Sequence, residues 1–336
     1  MFWLIISTVV FFTSWRLTLA TQSHAIKNDL LDHPDNRSSH KIPTPSGGGI
    51  AIVATYLSSL AGLWFVGSLD SQLFIALFAG GGLIAAVGYW DDRSPLPAKV
   101  RLIAHFLSAA IAIIALQVWS LEYPWNTWLP VWVNVPLLSL GIVWMVNLYN
   151  FMDGIDGIAG IESISTALVL FLFSLYLGQS ELAILMLLLA ASSAGFLRCN
   201  WPPASIFLGD VGSGFLGFEF AVFAVASEAK FELPIWVWLI LLAVFFIDTG
   251  VTLVRRMLSG EVWYQAHRSH AYQILSRRWG SHKRVVFSVL VLNLLWLTPL
   301  SALALYLPDY WFVLLGVAVL PLLIIAILLK AGDQSV

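Results

Sequence analysis

The 336-residue chain is 59% apolar and 11% charged, with 17 Lys and Arg against 19 Asp and Glu and a mean hydropathy of +0.85. Soluble domains carry about 45–50% apolar and about 25% charged residues, and no water-soluble core could hide this much apolar surface. That excludes an ordinary cytosolic enzyme, a disordered chain and a nucleic-acid binder with a basic face, while the single Cys199 excludes an intramolecular disulfide framework and a cysteine-rich metal site. What remains is an all-α polytopic membrane bundle, because the apolar stretches are long continuous runs and not the alternations of a β-barrel.

A helix needs about 20 apolar residues to cross the hydrocarbon. That window predicts about 11 spans, near 1–20, 49–67, 73–90, 100–118, 131–149, 158–177, 182–197, 212–226, 233–254, 285–306 and 310–329. The loops after odd-numbered spans hold Lys27, Arg37, Lys41, Arg93, Lys99, Arg101, Arg198, Arg255, Arg256, Arg268, Arg277, Arg278, Lys283 and Arg284. The opposite loops hold Lys230 against Asp70, Glu122, Glu181, Glu228, Glu232 and Asp309. The positive-inside rule then puts the odd loops in the cytoplasm, the N-terminus outside and the C-terminus inside. Trp125, Trp128, Trp132, Tyr306, Tyr310 and Trp311 sit near span ends as interfacial anchors do. The first span lacks the basic start of a signal peptide and is read as a membrane helix. No repeat or linker divides residues 1–336, which read as one membrane domain.

The unusual residues lie on the inner loops. The first reads Asp32-His33-Pro34 through Arg37 and Lys41 to Pro43-Thr44-Pro45-Ser46-Gly47-Gly48-Gly49. It is stiffened by proline and opened by glycine for close approach to a ligand, or it is a solvated loop that sets topology. The second carries Asp91 and Asp92, adjacent carboxylates that are costly at a membrane boundary unless they serve a cation or a proton, or are solvated at a helix end. In the third, Asn147, Asn150 and Asp153 recur three apart on one helical face, followed by Gly154, Asp156 and Gly157. Such hard oxygens suit Mg²⁺; a polar interhelical seam would explain one Asn but poorly the set. The fourth, Phe207-Leu208-Gly209-Asp210-Val211-Gly212-Ser213, opens a helix, so Asp210 is either an N-cap or a metal ligand beside a phosphate-binding helix start. The fifth holds His267-Arg268-Ser269-His270-Ala271-Tyr272-Gln273, whose cationic groups could grip a diphosphate. Asp248 and Glu219 lie within spans and are functional or helix-pairing candidates.

In this order the motifs resemble those of the polyprenyl-phosphate N-acetylhexosamine-1-phosphate transferases of glycosyltransferase family 4, which include the phospho-MurNAc-pentapeptide translocase and the initiating transferases of O-antigen and teichoic acid synthesis. The resemblance is carried by Pro43-Thr44-Pro45-Ser46-Gly47-Gly48, Asp91-Asp92, the run from Asn150 to Gly157, the run from Phe207 to Ser213, and Asp248-Thr249 followed by Arg255-Arg256. It implies a Mg²⁺-dependent inner-membrane enzyme with its site facing the cytoplasm. Such an enzyme moves sugar 1-phosphate from a UDP-N-acetyl amino sugar to undecaprenyl phosphate and releases UMP. By position, Asp210 is the implied principal metal ligand with Asn150 close to the metal. Asp91 and Asp92 are implied to orient or deprotonate the lipid phosphate. Asp153 and Asp156, with Asn147, are implied on the substrate side, Lys41 and Thr44 near the nucleotide, and Arg268 and His270 on the donor phosphate. Members of the family form dimers, so a homodimer is one option. Where many members have His-x-His-His, this chain has His270-Ala271-Tyr272-Gln273, as in the subgroup that starts O-antigen with 6-deoxy amino sugars. A UDP-FucNAc or UDP-QuiNAc donor is therefore expected, with UDP-GlcNAc as the alternative. A transporter or lipid-binding protein is the alternative outside the class; a transporter would place its polar groups near the bilayer midplane, whereas these sit at span ends.

Overall fold

The computed structural model describes residues 2–34, 42–121, 123, 129–261 and 267–333. Among them the chain is helical almost throughout, an all-α polytopic membrane fold. Nine helices are long and apolar enough to cross a membrane, a bent pair is long and apolar enough when its two helices are taken together, and a 17-residue apolar helix stands beside them. Each coincides with an expected span. They run α1 (Phe2–Lys27), α2 (Gly49–Phe65), α3 (Ser71–Ile75) continued through a π turn into α4 (Gly81–Asp91), α5 (Ala98–Ala115), α6 (Val131–Met152), α7 (Ile158–Tyr176), α8 (Ser180–Asn200) and α9 (Asp210–Lys230). Then come α10 (Ile235–Leu241), α11 (Ala243–Leu258), the short α12 (Ala271–Trp279), α13 (His282–Leu292), a second π turn, α14 (Thr298–Tyr306) and α15 (Trp311–Leu328).

The helix at the centre is α9, with 89% of its apolar window buried against 17% for α1 and α15. Inside a membrane, helices are held by close packing, because lipid is as apolar as the helix faces. Accordingly Phe215, Phe218, Phe220 and Phe223 of α9 are all buried. Tyr149 of α6 stacks on Phe220 at 5.7 Å and meets Phe245 of α11 edge-on at 5.0 Å. The surfaces of α4 and α6 both lie against α9, and α8 lies between α1 and α7.

Several boundaries differ from the sequence expectation. Helix α1 continues past residue 20 to Lys27, through the polar Thr21-Gln22-Ser23-His24 that a hydropathy window discards. The seventh and eighth spans are also longer than expected, at 21 residues each. Polar partners hold the extra turn of α9, where Lys230 Nζ donates to Asp70 Oδ2 at 2.8 Å and Gln72 Oε1 at 3.0 Å. The ninth span is not straight: α10 and α11 meet at 74°. The hinge, Leu242, is neither Pro nor Gly, so nothing in the local sequence announces the bend. Besides helices, Leu31–Asp32 (β1) and Thr44–Pro45 (β2) form a two-residue antiparallel ribbon that ties together the ends of the first inner loop.

Candidate active site

The C-terminal ends of α4, α6 and α8 and the N-terminal ends of α2, α5, α9 and α13 gather on one face of the bundle. Between them lies a cavity of about 770 Å³. This is the face to which the charge pattern assigns the cytoplasm. Its wall includes Asp91, Asp92, Asn150, Asp153, Asp156 and Asp210. Six of the residues singled out from the sequence therefore meet on one surface.

Close backbone approach builds the centre. Gly88 of α4 lies against Asp210 of α9; a Cβ there would sit 2.6 Å from the Asp210 carbonyl oxygen. That contact carries the end of α4 to the start of α9. Gly209 adopts φ +77°, open to glycine, and a side chain there would strike the Asp92 carboxylate. Asp92 then caps α9 from outside its own helix. Its Oδ1 accepts from the Asp210 N–H at 2.8 Å and its Oδ2 from the Val211 N–H at 3.2 Å, two donors that a helix start leaves unpaired.

Asp91 lies on the Arg101 side of the Asp210 side chain. Its Oδ1 accepts from Leu96 N–H at 2.6 Å and its Oδ2 from Arg101 Nη1 at 2.8 Å. The same Arg101 nitrogen lies 3.6 Å from Asp210 Oδ2. Asn150 Nδ2 donates to Asp210 Oδ1 at 2.6 Å and to Ser213 Oγ at 3.1 Å. Turned over about its last bond, the same amide would present an oxygen there in place of the donor. Asp153 ends α6 and Asp156 follows a turn later; Asp156 Oδ2 accepts from Ala204 N–H at 3.0 Å.

The wall is strongly acidic. Burial pushes the Asp92 carboxyl up to about 6, with Asp91 and Asp32 adding repulsion and its two backbone hydrogen bonds opposing it. Burial raises Asp153 well above the usual carboxylate range, and the neighbouring Asp210, Asp92 and Asp156 add to it. Arg101 reaches two of these carboxylates, while Arg93 stacks over the Tyr89 ring at 4.1 Å. Surplus carboxylate and amide oxygen on an open wall fits a hard divalent cation, which takes one or two protein carboxylates and fills its shell with water and substrate phosphate. Among the described residues no three His, Cys, Asp or Glu side chains form a closed cage. A cation shared with a substrate needs no such cage.

Other expected site residues lie elsewhere. Lys41 is outside the described residues. Thr44 is buried in β2, with its hydroxyl donating to the Ile42 carbonyl at 2.9 Å. Its loop acts mainly as a strap: Phe207 N–H donates to Pro45 O, Gly48 N–H to Phe207 O and Gly49 N–H to Leu208 O, each at 2.8 Å, while Ser46 and Gly47 reach the cavity. The first inner loop therefore positions the Gly209-Asp210 turn. Asn147 is spent on the Val143 carbonyl at 2.7 Å and lies 3.2 Å from His105 Nδ1, one turn away from the cavity wall. Arg268 is exposed and off the wall, its carbonyl accepting from Arg277.

His270 is 2% exposed and also off the wall. Its Nδ1 lies 3.1 Å from Asp248 Oδ1. Asp248 also accepts from Ala271 N–H and Tyr272 N–H, both at 2.8 Å, so the intramembrane aspartate is a paired anchor for α12. Glu219 is the opposite case: both its oxygens are buried with no hydrogen-bond partner among the described residues. The fifth loop reaches the cavity through Gln273, while the Tyr272 hydroxyl donates to the Phe151 carbonyl at 3.0 Å. Sequence reasoning missed Arg101, Asn200 and His282 as wall residues. For Arg101 the available signal was its place ten residues after Asp91, at the start of the next span.

Residues 74–228 match the model of glycosyl transferase family 4, a stretch that runs from α3 to the end of α9 and contains all six gathered residues. The chain is 29% identical over 303 residues to a probable undecaprenyl-phosphate N-acetylglucosaminyl 1-phosphate transferase of Bacillus subtilis, covering 88% of this chain and 83% of that one. A phospho-N-acetylmuramoyl-pentapeptide-transferase of Caldicellulosiruptor bescii is 29% identical over 267 residues, 73% of this chain and 79% of its own. An undecaprenyl-phosphate alpha-N-acetylglucosaminyl 1-phosphate transferase of Thermotoga maritima is 27% identical over 299 residues, 85% of this chain and 87% of its own. The chain is thus similar, along most of its length, to membrane transferases of sugar 1-phosphate onto polyprenyl phosphate.

Proposed function

We propose that this protein transfers an N-acetyl amino sugar 1-phosphate from a UDP-sugar to undecaprenyl phosphate at the cytoplasmic face of a bacterial inner membrane, starting a surface polysaccharide such as O-antigen. In the net reaction an oxygen of the lipid phosphate bonds to the β-phosphorus of the donor. The bond from that phosphorus to the bridging oxygen breaks, and the oxygen leaves with UMP. The observation that carries the reading is the cluster of Asp91, Arg101, Asp210 and Asn150 on the cavity wall, at the ends of membrane helices. A lipid phosphate can reach such a place without its chain leaving the bilayer.

Phosphoryl transfer is mostly positioning and charge stabilisation. Asp210, Asn150 and Asp91 are the residues that would hold Mg²⁺, which would neutralise charge on the diphosphate. Arg101 holds Asp91 in place and adds positive charge. Asp92 fixes the start of α9 and hence the aim of Asp210. A phosphate monoester with a second pKa near 6 is largely ionised at neutral pH, so organising charge outranks proton abstraction as the role of Asp91 and Asp92. Asp153 and Asp156 receive the nucleotide side of the donor.

The relatives' names support UDP-GlcNAc as donor. A 6-deoxy donor is the second reading, resting on the sequence motif His270-Ala271-Tyr272-Gln273. The test is purified full-length protein with undecaprenyl phosphate, Mg²⁺ and UDP-GlcNAc, UDP-FucNAc or UDP-QuiNAc, following UMP and lipid-linked sugar. Lipid-dependent UMP that disappears in Asp210→Asn is the expected result, and the donor that turns over decides the sugar. No UMP from any UDP-sugar, in protein that keeps its fold, overturns the reading in favour of transport or lipid binding.

A further inference from the structure

A short turn joins α12 to α13. Gly280 closes α12 with φ +59°, and the Ser281 hydroxyl accepts from Arg284 N–H at 3.3 Å to cap α13. This fixes His282 as the first residue of α13, on the cavity wall. Its Nδ1 lies 3.2 Å from Asp156 Oδ2 and 3.4 Å from the Asp156 N–H. One ring nitrogen faces an acceptor and a donor of the same residue and can serve one at a time: protonated at Nδ1 it donates to the carboxylate, unprotonated there it accepts from the backbone. The two side chains are 17% and 12% exposed, enough to adjoin a ligand and too little for a solvated surface pair.

Asp156 needs holding. It shares the wall with Asp92, Asp153 and Asp210, and its charge is among those that repel Asp153. A carboxylate free to turn would be driven by that repulsion. The Ala204 amide and His282 take hold of the same oxygen from two separate chain segments. The next residue is secured as well, with Gly157 N–H donating to Asn200 Oδ1 at 2.9 Å.

We infer that His282 is a positioning residue for the nucleotide donor, acting through Asp156, so that α13 shapes the donor side of the cavity. This rests on the reading that the 153–157 turn receives the nucleotide. The test uses full-length protein in detergent and compares wild type, His282→Ala and His282→Asn by UDP titration, by KM for the UDP-sugar and for undecaprenyl phosphate, and by melting temperature. Removing the hold should weaken UDP binding and raise the donor KM about tenfold, with kcat and the acceptor KM within about twofold. Asn, whose amide nitrogen can stand where Nδ1 stands, should recover most of that loss. Unchanged UDP affinity in His282→Ala overturns the inference, as does a parallel shift of both KM values and the melting temperature, or a folded His282→Asn that recovers nothing. Wild-type protein that binds UDP but releases no UMP overturns the reaction alone, since the variants are then still read by UDP affinity. Wild-type protein that does not bind UDP overturns both.

Discussion

Two helices of this protein are started by an aspartate borrowed from elsewhere in the chain. Asp92 caps α9 through the amides of Asp210 and Val211, and Asp248 caps α12 through those of Ala271 and Tyr272. The device is the same and the surroundings are opposite. Asp248 is 5% exposed, and its remaining neighbours, His270 and Thr252, are hydrogen-bond donors. Asp92 is half-buried on an open cavity among Asp91, Asp153 and Asp210. At one cap the acid is satisfied by protein. At the other the acid lies among more acid, and that excess negative charge is what a cation and a substrate can use. The difference separates an anchor from a reaction site more clearly than residue type does.

The largest effect should come from the residue on which the cavity cap is built. Asp210→Asn keeps the backbone donors that Asp92 accepts and removes one charge from the wall. UMP release should fall on the order of 10³-fold with the melting temperature nearly unchanged. A variant that loses its fold together with its activity would make Asp210 an anchor like Asp248 and erase the contrast. The second effect falls on the other cap. Asp248→Ala leaves the Ala271 and Tyr272 amides and His270 without their acceptor, and should cost about 3–5 kcal/mol of stability, read by detergent-phase melting. Its activity per folded molecule should drop far less than that of Asp210→Asn.

Much of the wall was legible in the sequence. Asp91, Asp92, Asn150, Asp153, Asp156 and Asp210 announce themselves because polar groups at a membrane boundary are costly and need a reason. What the sequence cannot convey is which side of a helix end such a group takes. Asn147 shares a stripe with Asn150, yet one turn back it meets the Val143 carbonyl instead of the cavity. His270 sits in a motif full of phosphate-binding residue types, but its partner lies 22 positions earlier, on another helix. Arg101 reads as a topology charge and His282 draws no reading at all, because their carboxylate partners, Asp91 and Asp156, are brought to them only by the fold. The spans themselves were legible from hydropathy; the bend at Leu242 was not, since no Pro or Gly marks it.

A third effect depends on pH. Burial raises the Asp92 carboxyl from 3.8 to about 6, so ionising it works against the fold without a cation. The stability that the neutral acid contributes is complete below its unfolded value and is lost as pH rises through about 6. Melting temperature without divalent ions should therefore fall across that interval, with a shallower fall in Asp92→Asn. Added Mg²⁺ should favour the ionised form and move the change to lower pH. Turnover should run the other way, declining as pH drops through the same value. A melting curve indifferent to Mg²⁺ at every pH would remove the cation from the cavity cap.

The smallest expected effect bears most directly on the comparison. If His270 grips a donor phosphate, as its motif suggests, any replacement should cripple turnover. If it serves the Asp248 cap, the requirement is a side chain that begins a helix and donates to Asp248. Asn meets both conditions: it is among the best N-cap residues, and its amide nitrogen can stand in for Nδ1. His270→Asn should therefore keep kcat and the donor KM within about threefold and stability within about 1 kcal/mol. His270→Ala, which leaves Asp248 one donor short, should lose more stability than activity per folded molecule. A folded His270→Asn with turnover reduced as far as in Asp210→Asn would bring His270 into contact with substrate. It would then follow that α12 swings toward the cavity when the donor binds, because at rest the ring lies behind Tyr272 and Gln273, stacked at 4.8 Å on His267 and 5.6 Å on Tyr272.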